Sequence, residues 1–152
     1  MAHISLELLE KNVHSVENRI TQAASSCGRD AQHIRLISVA KTFPVSYTDM
    51  AFNLGLTEFG ENRMQEAQKK IEQLPTLPIT WHFIGHLQSN KARTAVTYFD
   101  WIHSVDNEKL LKKIDQAGID TKIKVVCENE ECKNEFEDRL QFDPSRFFAV
   151  GF

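Results

Sequence analysis

Residues 36–42 read Leu-Ile-Ser-Val-Ala-Lys-Thr, an apolar and partly β-branched run that ends in a lysine and a threonine. Such a run, with Pro44 shortly after it, is typical of a buried strand. Lys41 is therefore predicted at the carboxyl end of a strand, where α/β folds place their active sites. A lysine partly desolvated there has a lowered pKa, and its free amine can attack an aldehyde. The alternative, a strand-end lysine that only reaches water, stays open for this stretch alone.

The rest of the chain alternates helices with strands. An apolar stripe from Leu9 to Cys27 predicts a first amphipathic helix, which Gly28 ends. Further strands are predicted at residues 57–60, 79–84, 101–105 and 122–127, with a helix in each interval. This alternation predicts an α/β fold with parallel strands and right-handed crossovers. The pattern alone does not separate a closed barrel from a doubly wound sheet.

Length and composition narrow the class of protein. The chain has 152 residues, of which 41% are hydrophobic, and this is enough for one globular domain. A net charge of −3 and the lack of any long basic run speak against a nucleic-acid partner. Charged residues interrupt the first apolar stretch, which speaks against a signal peptide, and no apolar run is long enough to span a membrane. The three cysteines are too few and too scattered for a disulfide framework. We therefore expect a soluble cytoplasmic protein with no membrane partner.

Two longer motifs follow later strands. Residues 59–66 read Phe-Gly-Glu-Asn-Arg-Met-Gln-Glu, and residues 81–91 read Trp-His-Phe-Ile-Gly-His-Leu-Gln-Ser-Asn-Lys. Together with residues 39–42, they closely resemble the pyridoxal phosphate homeostasis proteins, from the N-terminal helix to about Val126. That family is a single-domain relative of the alanine racemase barrel and carries pyridoxal 5′-phosphate (PLP) on a lysine.

The resemblance implies a fold and its boundaries. We expect a partial (β/α)8 TIM-type barrel, similar to the N-terminal domain of alanine racemase and truncated after about five or six strands. Residues 1–152 would form one incomplete barrel domain, in which residues 1–126 match the family and residues 127–152 diverge.

The resemblance also implies a cofactor site made by Lys41, Asn62 and His82. Lys41 resembles the lysine that forms the Schiff base with PLP. Asn62 resembles a residue that lines the cofactor pocket, although an asparagine in such a turn is also ordinary capping chemistry. His82 lies between two aromatic residues in sequence, so it would face the barrel interior if they pack beneath the helices; a histidine satisfied by a backbone carbonyl is the alternative.

Other polar residues have plainer interpretations. Glu61 and Arg63 are read as a solvated pair as readily as a part of the site. His82, His86 and His103 lack the one-face helical spacing of zinc motifs, and no metal is predicted. Residues 88–91, at a helix start, would either bind an anion or simply cap the helix, and capping is favoured.

The family's function is to bind and buffer PLP inside the cell rather than to turn over a substrate. No acid–base pair accompanies Lys41 in the sequence, so no catalytic residue is assigned and no enzymatic turnover is expected. Two alternatives stay open. One is a PLP-dependent amino-acid racemase or lyase that uses the same lysine, and the other is a degenerate fragment with weak or no PLP binding.

The chain departs from the family after Val126. A complete barrel needs about 200 residues or more, and nothing here matches the family residues that hold the cofactor phosphate. Residues 147–152 are apolar enough for a sixth strand. We expect either a truncated reading frame or a half-barrel completed by self-association or a complementing chain at an open edge. Without the phosphate contacts, PLP affinity would fall by at least about two orders of magnitude.

Overall fold

The structure, a computed structural model, describes residues 4–118, 122–126 and 135–139. Cys127, Cys132 and the apolar stretch 147–152 lie outside the described residues. The chain divides into two compact units. The first runs to His86 and takes up Tyr98–Ser104; the second comprises Leu87–Thr97 and the residues from Val105 onward. The assignment of residues 1–152 to one domain, with a family boundary at Val126, stays a prediction.

The elements follow the predicted alternation. In the first unit they are α1 (Leu6–Ser26), a 3-10 turn (Ala31–His33), β1 (Ser38–Val39), α2 (Val45–Asn53), β2 (Glu58–Glu61), α3 (Met64–Gln73), β3 (Thr80–Phe83) and β4 (Trp101–Ile102). A 3-10 turn (Ser89–Lys91) and α4 (Ala92–Tyr98) connect β3 to β4. The second unit continues with α5 (Glu108–Gly118), β5 (Lys122–Val126) and β6 (Glu135–Arg139).

Helix α1 has the predicted extent but little buried surface. Ser5 caps its start, with its hydroxyl oxygen accepting from the Leu8 N–H at 3.2 Å. Gly28 follows its end with a φ of +68°, a backbone conformation that favours glycine. Only Val13 and Ala24 of this helix are buried. Within residues 4–118, 122–126 and 135–139, no helix is both long and apolar enough to cross a membrane.

Four strands form one parallel sheet in the order β1-β2-β3-β4. Strand order that follows chain order is the arrangement of a (β/α) barrel, whereas a doubly wound sheet reverses its order at a switch point. The predicted α/β class and the partial-barrel arrangement are therefore confirmed.

The strand register gives this sheet two different faces. Val39, Gly60, His82 and Trp101 are paired neighbours on successive strands and share one face, which we call the His82 face. Phe59, Trp81 and Phe83 alternate with them and lie on the opposite, helix face, where all three are buried. Phe59 and Trp81 pack with ring centroids 5.9 Å apart, and Phe83 meets Phe99 edge to face at 5.1 Å. The aromatic residues therefore pack on the helix face, which was the condition for His82 to point to the other face.

Strand β5 does not extend this parallel sheet. It pairs with β6 in a separate two-stranded antiparallel sheet, with Lys122 opposite Arg139 and Val126 opposite Glu135. The expectation of a fifth parallel strand is wrong. The sequence Lys-Ile-Lys at residues 122–124 alternates charged and apolar residues, which suits an antiparallel strand with one solvated face better than a strand buried on both faces.

Candidate functional site

The polar residues of the three motifs follow the carboxyl ends of neighbouring strands. Lys41 comes two residues after β1, Asn62 directly follows β2, and Gly85 comes two residues after β3. A Cβ atom built on Gly85 would lie 2.3 Å from the carbonyl oxygen of Asn62. Only glycine allows this approach of two strand ends. The parallel sheet thus brings the three motifs to one edge, as expected.

Lys41 is the group whose surroundings differ from expectation. Its side chain is exposed rather than partly desolvated. Within residues 4–118, its ammonium group has neither a hydrogen bond nor an ion pair. The amine is therefore available to a ligand, although the described residues do not bury it.

A tight turn carries Lys41. The Phe43 N–H donates to the carbonyl oxygen of Ala40 at 3.2 Å, so Lys41 and Thr42 are the two central residues of the turn. Thr42 has a φ of +67°, and among the described residues other than glycine it alone has a positive φ. This is the pattern of a type II turn, which normally places glycine or asparagine at that position. The strand-end backbone at Lys41 is accordingly strained.

A polar network crosses the His82 face. The buried His82 ring has Nδ1 2.9 Å from His103 Nε2, and its Nε2 contacts a carboxylate oxygen of Glu58. Because a carboxylate accepts, Nε2 of His82 donates to Glu58, whereas the direction of the His82–His103 hydrogen bond depends on the tautomers of the two rings. Both ring nitrogens of His82 are therefore engaged by side chains, and the backbone-carbonyl alternative is wrong.

Aromatic and cationic side chains flank this network. The Trp101 ring stacks on His82 with centroids 6.2 Å apart and an interplanar angle of 10°. The Arg35 guanidinium lies 5.5 Å from the centre of the Trp101 ring, and Arg35 Nε lies 3.5 Å from Glu58 Oε1. His82 thus keeps a fixed orientation, and neither of its ring nitrogens is free.

The helix face holds a buried ion pair beneath the Lys41 turn. Lys70 Nζ of α3 lies 2.5 Å from Glu61 Oε1 and donates to the carbonyl oxygen of Ala40 at 2.6 Å. Glu61 is fully buried and Lys70 is 7% exposed. Within the described part of the chain, Oε2 of Glu61 has no hydrogen-bond partner. Glu61 is therefore not solvated, and the expected pair with Arg63 does not form, because the parallel register points Glu61 under α3.

Arg63 pairs instead with Glu66, one turn into α3. Arg63 Nη1 donates to Glu66 Oε1 at 2.8 Å. This hydrogen bond is the main reason why the pKa of Glu66 lies below its ordinary value of 4.5; the backbone of Thr42 lowers it further. Glu66 therefore also connects α3 to the Lys41 turn.

A cavity of about 110 Å³ lies beside β1, and it is not the predicted cofactor site. Its lining comes mainly from α1, α2, β1 and β2 and includes Leu9, Val39, Tyr47, Thr48 and Phe59. It does not include Lys41, Asn62 or His82. Its volume is also below the roughly 300 Å³ at which small-molecule pockets begin.

Two other site classes find no support in the described residues. No group of three or more His, Cys, Asp or Glu side chains in residues 4–118 is arranged to hold a metal ion. His82 and His103 come together, but they bond to each other and to Glu58. At residues 88–91 a 3-10 turn, Ser89–Lys91, precedes the seven-residue α4, and Gln88 before it makes no side-chain capping hydrogen bond. The favoured capping role is therefore not seen at Gln88, and anion binding stays the untested alternative.

Sequence reasoning missed Glu58 and Lys70, and it considered His103 only as a metal ligand. Glu58 had a detectable signal in the sequence. It lies two residues before Gly60 and therefore on the same face of β2 as Gly60, which is the neighbour of His82. Lys70 lies three residues after Ala67, within the buried stripe of α3. A lysine at such a position is usually read as solvated, so only its burial reveals its role.

The chain was compared with curated proteins and with family models. It is 40% identical over 111 residues to the pyridoxal phosphate homeostasis protein of Pseudomonas aeruginosa, an alignment covering 73% of this chain and 48% of that protein. The Escherichia coli protein of that name is 41% identical over 106 residues, covering 68% and 45%. The chain therefore spans about half the length of the curated relatives it matches. No family model matches it.

Solved structures give a consistent result. PipY of Synechococcus elongatus, determined with PLP bound, is 44% identical with a TM-score of 0.56, over 64% of this chain and 47% of PipY. An unknown protein from Bifidobacterium adolescentis is 31% identical with a TM-score of 0.64, over 76% and 51%. With its strand-end motifs, its parallel sheet and these relatives, the chain belongs to the pyridoxal phosphate homeostasis protein family.

Proposed function

We propose that this chain binds PLP as a Schiff base on Lys41 and serves intracellular PLP homeostasis. The observation that carries the proposal is the state of Lys41, an exposed amine without a partner in residues 4–118, at the strand end that carries the family motif. When bound, PLP supplies an aldehyde carbon that becomes doubly bonded to the lysine nitrogen, with loss of water. A relative, PipY, is known with PLP bound.

The strand end next to Lys41 offers a side-chain amide to such a ligand. Gly60 offers no open position on the His82 face, because two isoleucine side chains lie 3.1 Å from where its Cβ atom would be. Asn62 follows the same strand, and its side-chain amide has no hydrogen bond within residues 4–118. We propose that Asn62 donates to or accepts from the cofactor and that the oriented ring of His82 borders it.

We further propose that the chain binds PLP without catalysing a reaction on amino acids. The runner-up, a racemase or lyase, is favoured by one observation, the hydrogen-bonded imidazoles of His82 and His103. His103 follows β4, however, three strands away from Lys41. At about 4.8 Å per strand this is about 14 Å along the sheet, whereas a proton acceptor must come within about 3 Å of its proton.

Chemical trapping tests the cofactor site. PLP is added to the protein, the adduct is reduced with borohydride, and the modified lysines are mapped by mass spectrometry. We expect Lys41 to carry most of the label, and Lys41→Met to lose it. Exposed lysines such as Lys69 and Lys112 are internal controls. Label spread over them, with no preference for Lys41, would favour a degenerate fragment.

Isotope exchange tests the absence of turnover. Common amino acids are incubated in deuterated water with the protein and excess PLP, and α-deuterium is measured. We expect no incorporation above that with Lys41→Met. Lys41-dependent incorporation would support the racemase or lyase alternative.

We propose that another chain, either a second copy or a complementing one, covers the His82 face. Val39 is 45% exposed and Trp101 is 52% exposed on this face, and apolar surface of this kind marks association sites. Light scattering after size-exclusion chromatography tests self-association. We expect a mass above 17.5 kDa that falls to the monomer value in a Val39→Lys, Trp101→Lys variant. A wild-type monomer would leave a complementing chain as the candidate.

A further inference from the structure

A buried lysine of α3 reaches the backbone just before Lys41. Lys70 Nζ donates to the carbonyl oxygen of Ala40 at 2.6 Å and lies 2.5 Å from Glu61 Oε1. We propose that Lys70 is a positioning residue for Lys41, because it fixes the turn that carries this residue. The inference rests on the proposed function at Lys41 and names the group that orients its amine.

The turn needs an external support. The N–H of Ala40 donates to the carbonyl oxygen of Gly60 at 3.1 Å, and its carbonyl oxygen accepts from Phe43 and from Lys70. Between these fixed points, Thr42 holds a φ of +67°. A residue with a Cβ atom keeps such a backbone only where its surroundings impose it. The Lys70 ammonium, which Glu61 holds in position, imposes this backbone conformation because it binds the carbonyl oxygen of the first residue of the turn.

Stability alone does not explain a charged pair at this place. Glu61 is fully buried and Lys70 is 7% exposed, and removing two charges from water costs more than packing an apolar side chain of similar volume. A methionine at residue 70 would fill the same contact between α3 and the sheet. It would not donate a hydrogen bond to Ala40, and it would leave the Glu61 carboxylate without its counter-charge. Of these two contacts, the one with Ala40 reaches the turn that carries Lys41.

Hydrogen exchange in the free protein measures the turn directly. The Phe43 amide, which donates to Ala40, reports whether the turn is closed. We expect it to exchange at least about tenfold faster in Lys70→Met than in the wild type, because a hydrogen bond to a charged group is lost. The matched control is Lys69→Met, which removes an exposed lysine of the same helix and should leave the Phe43 amide unchanged.

Trapping with PLP and borohydride measures the orientation of the amine. In Lys70→Met, the label on Lys41 relative to Lys69 and Lys112 should fall at least about tenfold. Adding Thr42→Gly to this variant should restore the preference, because glycine adopts a positive φ without support. Thr42→Gly alone should label as the wild type does. Because glycine at this φ also relieves strain, urea unfolding is measured on the same variants. A purely stabilising Lys70 would have the Lys41 label restored only as far as the free energy of unfolding is restored.

The outcomes separate this inference from the proposed function. If Lys41 of the wild type is not labelled more than the exposed lysines, the proposed function fails. The Phe43 exchange rate alone then decides the role of Lys70. A folded Lys70→Met, checked by circular dichroism, that exchanges and labels as the wild type does would overturn the inference. Should Lys70→Met not fold, the double variant Glu61→Met, Lys70→Met removes both buried charges and still lacks the donor to Ala40. An unchanged Phe43 exchange rate in this double variant would likewise overturn it.

Discussion

The helix face and the His82 face belong to the same four strands, yet one is closed and the other is open. On the helix face, Phe59 and Phe83 are at most 2% exposed. On the His82 face, Trp101 and Val39 are about half exposed, and the buried side chain is a histidine bonded to other polar groups. The difference teaches that apolar packing on one side stabilises the sheet, while the other side carries a polar network and leaves apolar side chains exposed.

The largest expected effect comes from removing a buried aromatic ring from the helix face. Phe59→Ala should lower the free energy of unfolding by about 3–5 kcal/mol, because it removes a buried aromatic ring and enlarges the cavity beside β1. Urea unfolding followed by circular dichroism measures the change. Trp101→Ala, on the His82 face, should cost less than about 1 kcal/mol at a protein concentration where light scattering shows the monomer. Equal costs in the monomer would break the comparison.

A smaller effect is expected where the strand ends touch. Gly85→Ala should cost about 1–3 kcal/mol, because its Cβ atom would lie 2.3 Å from the carbonyl oxygen of Asn62, a backbone atom with little freedom to move. Gly60→Ala is the control, since its Cβ atom would meet the side chains of Ile37 and Ile84 at 3.1 Å. Those side chains can shift, and the loss of unfolded-state entropy offsets the rest, so it should stay within about 1 kcal/mol of the wild type.

The smallest expected effect is on how the free energy of unfolding changes with pH. The folded-state pKa of Glu66 is lowered, mainly by Arg63. A carboxylate of this kind stabilises the fold above its unfolded pKa, and this contribution is lost as the pH falls through the folded pKa. Arg63→Met should therefore make unfolding stability fall less between neutral pH and pH about 3 than it does in the wild type. An unchanged slope would show that Glu66 gains nothing from Arg63 in the fold.

Part of the candidate site was predictable from short stretches. The run that ends at Lys41, the turn at Asn62 and the glycine at residue 85 each follow a strand, and parallel strands bring such ends to one edge. The face of His82 followed from its position between Trp81 and Phe83, because side chains alternate along a strand. The burial of Glu61 and the pairing of His82 with His103 were not predictable in this way, since the residues that make these contacts lie 9 and 21 positions away in sequence.

The sequence by itself determined the alternation of helices and strands, the strand ends that carry the motifs, and the family to which they belong. These properties depend on local periodicity and on side chains within a few residues of one another. The tertiary structure alone decided that β5 pairs with β6 rather than with the parallel sheet, that Lys41 is exposed, and that Lys70 is buried against Ala40. These three features depend on the register between strands and on which helix packs against which strand. The local sequence around a charged helical residue does not indicate which backbone carbonyl it will contact.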